Sequence, residues 1–466
     1  MKFVNKKLEE FNNYIKGKKV AIIGLGVSNI PLIDELYRLG ANITLFNNKD
    51  AESLDKTILD KIYEYKLKFF FGENYLNKLV GFDVIFRSPS CRPDTPQIEA
   101  EVKRGALLTS EIELVLEMCP GTTIGITGSD GKTTTTSLIY QILKEKGLNC
   151  YLGGNIGIPL FTKIKDMKPE DYVVLELSSF QLMTMKVSPQ IAVITNVTPN
   201  HLDIHKSYDE YKEAKANIFK MQNESDLLVL NYDNDITRNF AKEAKGNVVY
   251  FSSKEKLDNG IILDDGIIKD CENGLRRHIV NTKNIKLRGV HNAENICAAV
   301  AATKRFVSPE IQAKAVSEFS GVEHRLEFVK EINEAKWYND SIASSPTRTI
   351  AGLNSFDENI VLIAGGYDKH LDYTPIAKPI VENVGALILL GQTANKIYSA
   401  VTYELKFIKK DLPIYKVNTL EEAVNKAKEV SKKGDVVLFS PASASFDMFK
   451  NFEERGNKFK QIVNKL

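Results

Sequence analysis

The chain has 466 residues, 43% hydrophobic and 26% charged, a length that accommodates about three domains and a composition ordinary for globular proteins. Its 62 Lys and Arg against 60 Asp and Glu leave no net field to attract nucleic acid or an anionic membrane, so any anionic ligand must be met locally. No apolar run approaches the roughly 20 residues of a membrane span, and the five scattered cysteines form no C-x-x-C pair, which argues against a disulfide framework or a zinc site.

The opening MKFVNKKLEEFNNYIKGKK is charged throughout and lacks the apolar core of a secretory signal, so a reducing cytoplasm is the expected setting. From KKVAIIGLG onward, β-branched runs alternate with amphipathic stretches of helical length, the pattern of strand-helix units on parallel sheets. Val20–Gly24, Ile43–Phe46 and Val84–Phe86 open the series. The turn IIGLGVSNI reads G-x-G-x-x-N, with Asn29 at the third glycine position, which weakens a dinucleotide reading. A first boundary is predicted near Leu108, before the helix SEIELVLEM.

Next comes Thr123–Thr127, a strand running into GITGSDGKTTTT and then a helix with the apolar stripe Leu138, Ile139, Ile142 and Leu143. The Walker spelling is incomplete, because Ile126 stands where its first glycine belongs. The physical requirement is met all the same: Gly128 and Gly131 let backbone N–H groups turn toward an anion, and the helix N-terminus and Lys132 add positive charge. Thr133 offers a hydroxyl to Mg²⁺. Asp130 is the awkward member, a carboxylate beside a site for phosphates.

The strand Tyr172–Leu177 carries Glu176 at its carboxyl end, where open α/β sheets gather ligands, so Glu176 is a candidate for magnesium. After Ile191–Asn196 the loop NVTPNHLDIH presents His201 and Asp203 at the same sheet edge, a weak signal alone. In SYDEYKEAKANIFKMQ the stripe Tyr208, Tyr211, Ile218 and Phe219 places Lys215 on the apolar face of a helix. It either snorkels to water or is a neutral lysine, modified or paired at an active site. Leu227–Asn231, Ile360–Gly365, Ala386–Leu390 and Val436–Ser440 complete the strand series, too many for one sheet. A second boundary is predicted near Gly321, where GVEHRLEFVKEINEAKWYND switches to hairpin-like alternation.

Taken in order, GITGSDGKTTTT, GGNIG, LELSSFQL, NVTPNHLDIH, EYKEAKANIF, GVHNAEN, HRLEFV, YNDSIASSPT, GGYDK and SPASASFDMFKNFEERGNKF resemble the Mur ligases over essentially the whole chain. The likeness is strongest to the branch that adds D-glutamate. It implies an α/β fold of three domains: a Rossmann-like domain for the uridine substrate (1–108), a central P-loop-type ATPase domain (109–321) and a C-terminal Rossmann-like domain (322–466). It also implies ATP, two Mg²⁺ ions and a CO₂-derived carbamate on Lys215, acting on UDP-N-acetylmuramoyl-L-alanine and D-glutamate in a monomeric enzyme.

Site roles carry over with the resemblance. Gly128, Gly131, Lys132, Thr133, Thr134, Asn295, Arg325 and Asp340 are assigned to ATP, and Thr133, Glu176, His201 and carbamylated Lys215 to the metals. Lys132, Lys215, His201 and Glu176 form the catalytic set. Gly24, Gly26, Val27, Ser88, Asn155 and His201 face the uridine substrate, and Lys369, Ser344, Ser445, Phe446 and Phe452 the D-glutamate. Ile342 and Ser344 stand where some relatives have Lys and Thr, and Ser90 where glycine is usual. Another Mur-type or folate-glutamate ligase and a non-catalytic nucleotide-binding regulator are the alternatives. The uridine-type N-terminal domain argues against the folate ligase, and retention of the five ATP and metal residues against the regulator.

Overall fold

The computed structural model describes residues 3–26, 28–51, 54, 56–199, 204–287, 289–369, 371–408 and 410–466. Its chain forms three sheets flanked by helices. In the first, β1 (Lys19–Ile23), β2 (Asn42–Asn47), β3 (Lys68–Phe71), β4 (Val84–Arg87) and β5 (Leu107–Thr109) lie in the order β3-β2-β1-β4-β5, all parallel. The chain steps outward from β1 to β3 and then crosses to the other side of β1. That reversal opens a crevice beyond the carboxyl ends of β1 and β4, the place where such sheets bind ligands.

The second sheet holds β6 (Thr122–Thr127), β7 (Cys150–Gly154), β8 (Tyr172–Glu176), β9 (Ile191–Ile194), β10 (Leu227–Asn231), β11 (Asn247–Ser252), β12 (Gly260–Asp264), β13 (Ile267–Glu272) and β14 (Leu275–Asn281). Their order is β14-β13-β12-β11-β10-β9-β6-β8-β7, parallel except for the meander β12 to β14 at one edge. Here too the chain reverses, around β6. The third sheet, β15 (Glu327–Ile332), β16 (Ala335–Asn339), β17 (Ile360–Ala364), β18 (Val384–Leu389), β19 (Ile414–Lys416) and β20 (Val436–Phe439), runs β15-β16-β20-β17-β18-β19, with only β15 antiparallel.

Central strands are buried along all or all but the first residue of their length, as both-sided helix cover requires. The chain divides into two compact units, Met1–Ile285 with Val290–Glu318, and Lys286–Gly289 with Phe319–Leu466. The first unit contains two sheets because one apolar cluster runs through both: Ile22 and Phe86 of the first belong with Val173, Ile194 and Leu228 of the second. In the second unit Leu362, Leu387 and Leu438 fill one face of the sheet, and Val361, Ile388, Val437 and Trp337 the other. Among the described residues no helix is long and apolar enough to cross a membrane. All five cysteines are free thiols.

Candidate functional site

β6 delivers the chain into the loop Gly128–Gly131, and the helix Lys132–Glu145 starts at once. Gly131 is the N-cap with φ +79°, and no side chain caps the helix. A Cβ on Gly131 would lie 2.2 Å from Asn295 Oδ1, so no larger residue fits where the helix Val290–Thr303 packs against the loop. Asn295 also accepts a hydrogen bond from Thr135 Oγ1 at 3.3 Å. The result is a bare helix N-terminus, the arrangement that receives phosphate. Thr133 is half-buried in its first turn, and Thr134 is buried.

The segment after β9 pins the loop. Thr195 Oγ1 donates to Asp130 O at 2.5 Å, Asp130 N–H donates to Asn196 Oδ1 at 2.9 Å, and Ser129 Oγ donates to Thr198 O at 2.9 Å. Ser129 Oγ also meets the hydroxyl of Tyr211 at 2.9 Å, whose phenol burial pushes up to about 12. Asp130, awkward in the sequence, is exposed.

Two lysines converge on one carbonyl. Lys132 Nζ donates to Gly128 O and Ser129 O, both at 2.9 Å, and Lys215 Nζ donates to Gly128 O at 2.7 Å. Lys215 is 1% exposed, so it does not snorkel, and its ammonium end lies 4.7 Å from the Tyr211 ring centre. Burial, reinforced by the charge of Lys132, holds its pKa well below that of an ordinary lysine.

Glu176, at the end of β8, is 2% exposed. Its Oε1 accepts from Asn155 Nδ2 at 2.9 Å, while its Oε2 is buried without a hydrogen-bond partner among the described residues. A buried orphan carboxylate oxygen is costly unless something binds it, and a hard cation is the natural occupant. No three His, Cys, Asp or Glu side chains gather into a metal cage among the described residues. Magnesium needs none, since it commonly keeps water and phosphate oxygens and takes one or two carboxylates. The residues present therefore fit a magnesium nucleotide. His201 and Asp203, read as further site residues, lie outside the described residues, as does Val27.

In the crevice of the first sheet, Gly24 has φ +81°, and a Cβ there would lie 2.6 Å from that of Ser88. The turns after β1 and β4 thus touch. Asn29 ties down the first of them: its Nδ2 donates to Ile23 O at 3.1 Å and Gly24 O at 2.9 Å, and Gly26 O accepts from the Asn29 N–H. Ser90 is absent from the left-handed backbone positions, so serine is accepted there without strain, and its hydroxyl meets that of Ser88 at 2.9 Å.

The second unit gathers the turns after β16, β17 and β20. Lys369 Nζ lies 5.5 Å from the ring centre of exposed Phe446, Ser445 is buried, and Phe452 packs its ring edge-on against His324. Ser344 N–H donates to Ile342 O at 2.8 Å, and that carbonyl also accepts from Arg348 at 3.2 Å. Arg325 is half-buried. Arg455, whose role the sequence does not disclose although it stands within the FEERG stretch, is buried and donates to Ser443 O, Ala444 O and Ser341 O at 2.8 to 3.0 Å. It braces the turns that carry Ser344 and Ser445.

Asp340 accepts from Ser440 Oγ at 2.7 Å and from Leu326 N–H at 3.2 Å, yet burial raises its carboxyl from an ordinary 3.8 to about 7. The folded chain therefore holds a proton that the unfolded chain has released between those values, and stability from this group declines as pH rises through that window. Asp340→Asn removes this titration. Calorimetry should find the variant's Tm, relative to wild type, climbing by several degrees from pH 4 to 7 and level above. A constant difference would show an ordinary carboxylate.

A glycine loop with a lysine and a bare helix N-terminus at the reversal point of a parallel sheet, beside a buried carboxylate, defines an α/β phosphate-binding protein of P-loop type. Residues 126–303 match the Mur ligase middle domain, and residues 324–443 the Mur ligase glutamate ligase domain. A UDP-N-acetylmuramoylalanine–D-glutamate ligase of Acetivibrio thermocellus is 54% identical over 465 residues, covering 99% of this chain and 100% of that one. The ligase of the same name from Clostridium tetani is 51% identical, with the same coverage. The chain belongs to the Mur ligase family, which implies use of ATP and magnesium.

Solved structures share the fold at low identity. The UDP-N-acetylmuramate-alanine ligase MurC of Thermotoga maritima superposes with a TM-score of 0.58 at 19% identity, covering 96% of this chain and 99% of that one. MurF of Thermotoga maritima, solved in complex with ADP, gives 0.55 at 20%, covering 97% of each.

Proposed function

We propose that this chain is an ATP-dependent ligase that joins D-glutamate to UDP-N-acetylmuramoyl-L-alanine, forming ADP and phosphate, in peptidoglycan precursor synthesis. The observation that carries the reading is the convergence of Lys132 and buried Lys215 on Gly128 O, close to the strand end bearing Glu176 with its orphan oxygen. The full-length identity to ligases of that name supports these substrates. Three separate sheets support three domains, with boundaries near Leu108, which falls within β5 of the first sheet, and Gly321, and the five free thiols favour a reducing cytoplasm.

A carboxylate is a poor electrophile at neutral pH. The L-alanyl carboxylate oxygen attacks the γ-phosphorus, ADP departs, and the acyl phosphate so formed is attacked at carbon by the D-glutamate amine, releasing phosphate as the amine loses its proton. Lys132 meets the charge growing on the γ-phosphoryl oxygens, and the first-turn N–H groups of the helix Lys132–Glu145 meet the remaining phosphates. Thr133 and Glu176 would hold one magnesium, which when bound would supply electrostatic stabilisation of the transferring group. Asn155 keeps Glu176 Oε1 engaged, leaving Oε2 for the metal. Lys215, as its carbamate, and His201, which lies outside the described residues, would hold the second.

Gly24, Gly26, Val27 and Ser88 take the uridine diphosphate end. Lys369 grips a D-glutamate carboxylate beside Ser344, Ser445, Phe446 and Phe452. Asn295, packed against the glycine loop, meets the nucleotide.

The test is phosphate release, expected only when UDP-N-acetylmuramoyl-L-alanine and D-glutamate are both present, with L-glutamate inactive because a pocket gripping two carboxylates and an amine discriminates by hand. Equal rates with both enantiomers would overturn the assignment.

A further inference from the structure

The turn after β4 is tied to the catalytic elements of the second sheet by two arginines. Arg87, the last residue of β4, is 1% exposed. One of its terminal nitrogens donates to Cys91 O at 2.7 Å and Ser88 O at 3.3 Å within the turn. The other donates to Phe180 O at 2.8 Å and Thr184 Oγ1 at 3.2 Å, just beyond the strand that ends on Glu176. Arg92, five residues on, grips Glu210 through two nitrogens at 2.7 and 3.2 Å and donates to Ile204 O at 2.6 Å. It also pairs with Asp94 in its own turn at 2.8 Å. Glu210 lies in the first turn of the helix Tyr208–Lys220, which carries Lys215.

Buried His205 closes the circuit. Its Nε2 meets Ser179 Oγ at 2.9 Å, its Nδ1 lies 3.4 Å from Glu210 Oε2, and its ring stacks on Phe180 with centres 5.0 Å apart. A buried guanidinium held by carbonyls and the Thr184 hydroxyl, near Glu113, adds little stability that packed apolar residues could not, which is consistent with a role in fixing how the turn meets the segment after β8. The circuit begins at the uridine-side turn and ends on the short helix Ser179–Leu182 and its exit, which follow Glu176 in the chain, and on the helix that carries Lys215.

We propose that Arg87 and Arg92, with His205 and Glu210, couple occupancy of the uridine-side turn to the arrangement of Glu176 and Lys215, so that the uridine substrate and the magnesium nucleotide each tighten the other's binding. They are positioning residues, and the inference rests on the reading of Gly24 and Ser88 as the uridine end. The coupling is reciprocal by thermodynamic necessity.

The experiment is calorimetry of the full chain with Mg²⁺ and an ATP analogue whose γ-phosphate cannot be transferred, with and without saturating UDP-N-acetylmuramoyl-L-alanine. In wild type the analogue should bind about 5- to 20-fold tighter when the uridine substrate is present. Arg92→Gln loses the bidentate grip, and Arg87→Lys keeps the charge but loses the fork that spans both partners, so each should bring that ratio to within about twofold of one. Thr184→Val deletes a single acceptor and folds under the mildest change; it should lower the ratio part of the way. A wild-type ratio near one, or variants that bind one ligand more weakly at an unchanged ratio, would overturn the coupling and leave the arginines structural. Gly24→Val separates the premise, because its side chain would collide with Ser88 and should abolish uridine-substrate binding. Wild-type affinity in that variant would overturn the uridine-side reading itself, and the coupling with it.

Discussion

Lys132→Ala should lower turnover by about 10²–10³-fold, or about 2.7–4 kcal/mol of transition-state stabilisation, the cost of removing one preorganised donor. The side chain is half-buried and its partners include the loop carbonyls Gly128 O and Ser129 O, so the variant loses these hydrogen bonds but opens no core cavity. The fold should survive, as far-UV dichroism and thermal unfolding would show. A second consequence follows from the charge. Lys132 helps depress the pKa of Lys215, so its removal lets Lys215 hold a proton to higher pH. The acid limb of the residual pH–rate profile should therefore move upward. Near-normal turnover in a folded Lys132→Ala protein would show that the loop does not hold the transferring phosphate.

Lys215→Arg should cost more, on the order of 10³-fold, and should do so in the formation of acyl phosphate rather than in D-glutamate saturation. An ammonium beside Lys132 would repel magnesium. A carbamate, made when the neutral amine bonds to the carbon of CO₂ and releases a proton, is anionic and can hold the metal. The structure supplies a fully buried side chain whose burial and neighbouring cation both favour the neutral amine, the form that reacts. Activity should accordingly fall in CO₂-depleted buffer at mildly acidic pH, where protonation competes, and return when bicarbonate is added. Arginine is bulkier than the site's lysine, so Lys215→Met, neutral and of similar length, is the companion variant; it should fold and be equally inactive. Either variant turning over normally, or wild-type activity indifferent to CO₂, would return Lys215 to the role of a buried structural amine.

Local periodicity was enough to place the strands that carry the site. Tyr172–Leu177, apolar but for Glu176, and Leu227–Asn231, apolar but for its last residue, are runs of the kind a sheet covered on both faces requires, and the 3.6-residue repeat put Lys215 on the inner face of its helix, because both signals act within a few residues. Order along the chain, with the motifs, also sufficed for the family. The meander β12 to β14 was not legible, since GIILDDGIIKDCENGLRRHIVN mixes charges into every strand at a half-exposed edge. Nor was the value of Asn29, which reads as a spoiled glycine pattern until its side chain is seen holding two carbonyls of its own turn. Only the tertiary structure could decide where the long side chains end. Lys215 meets Gly128 O across 87 positions of sequence and Arg92 meets Glu210 across 118, and the orphaned Oε2 of Glu176 is defined by what surrounds it in space. Residue type and spacing specify which face a side chain leaves from; partners, burial and proton affinity are set by groups that the folded sheets bring from far along the chain.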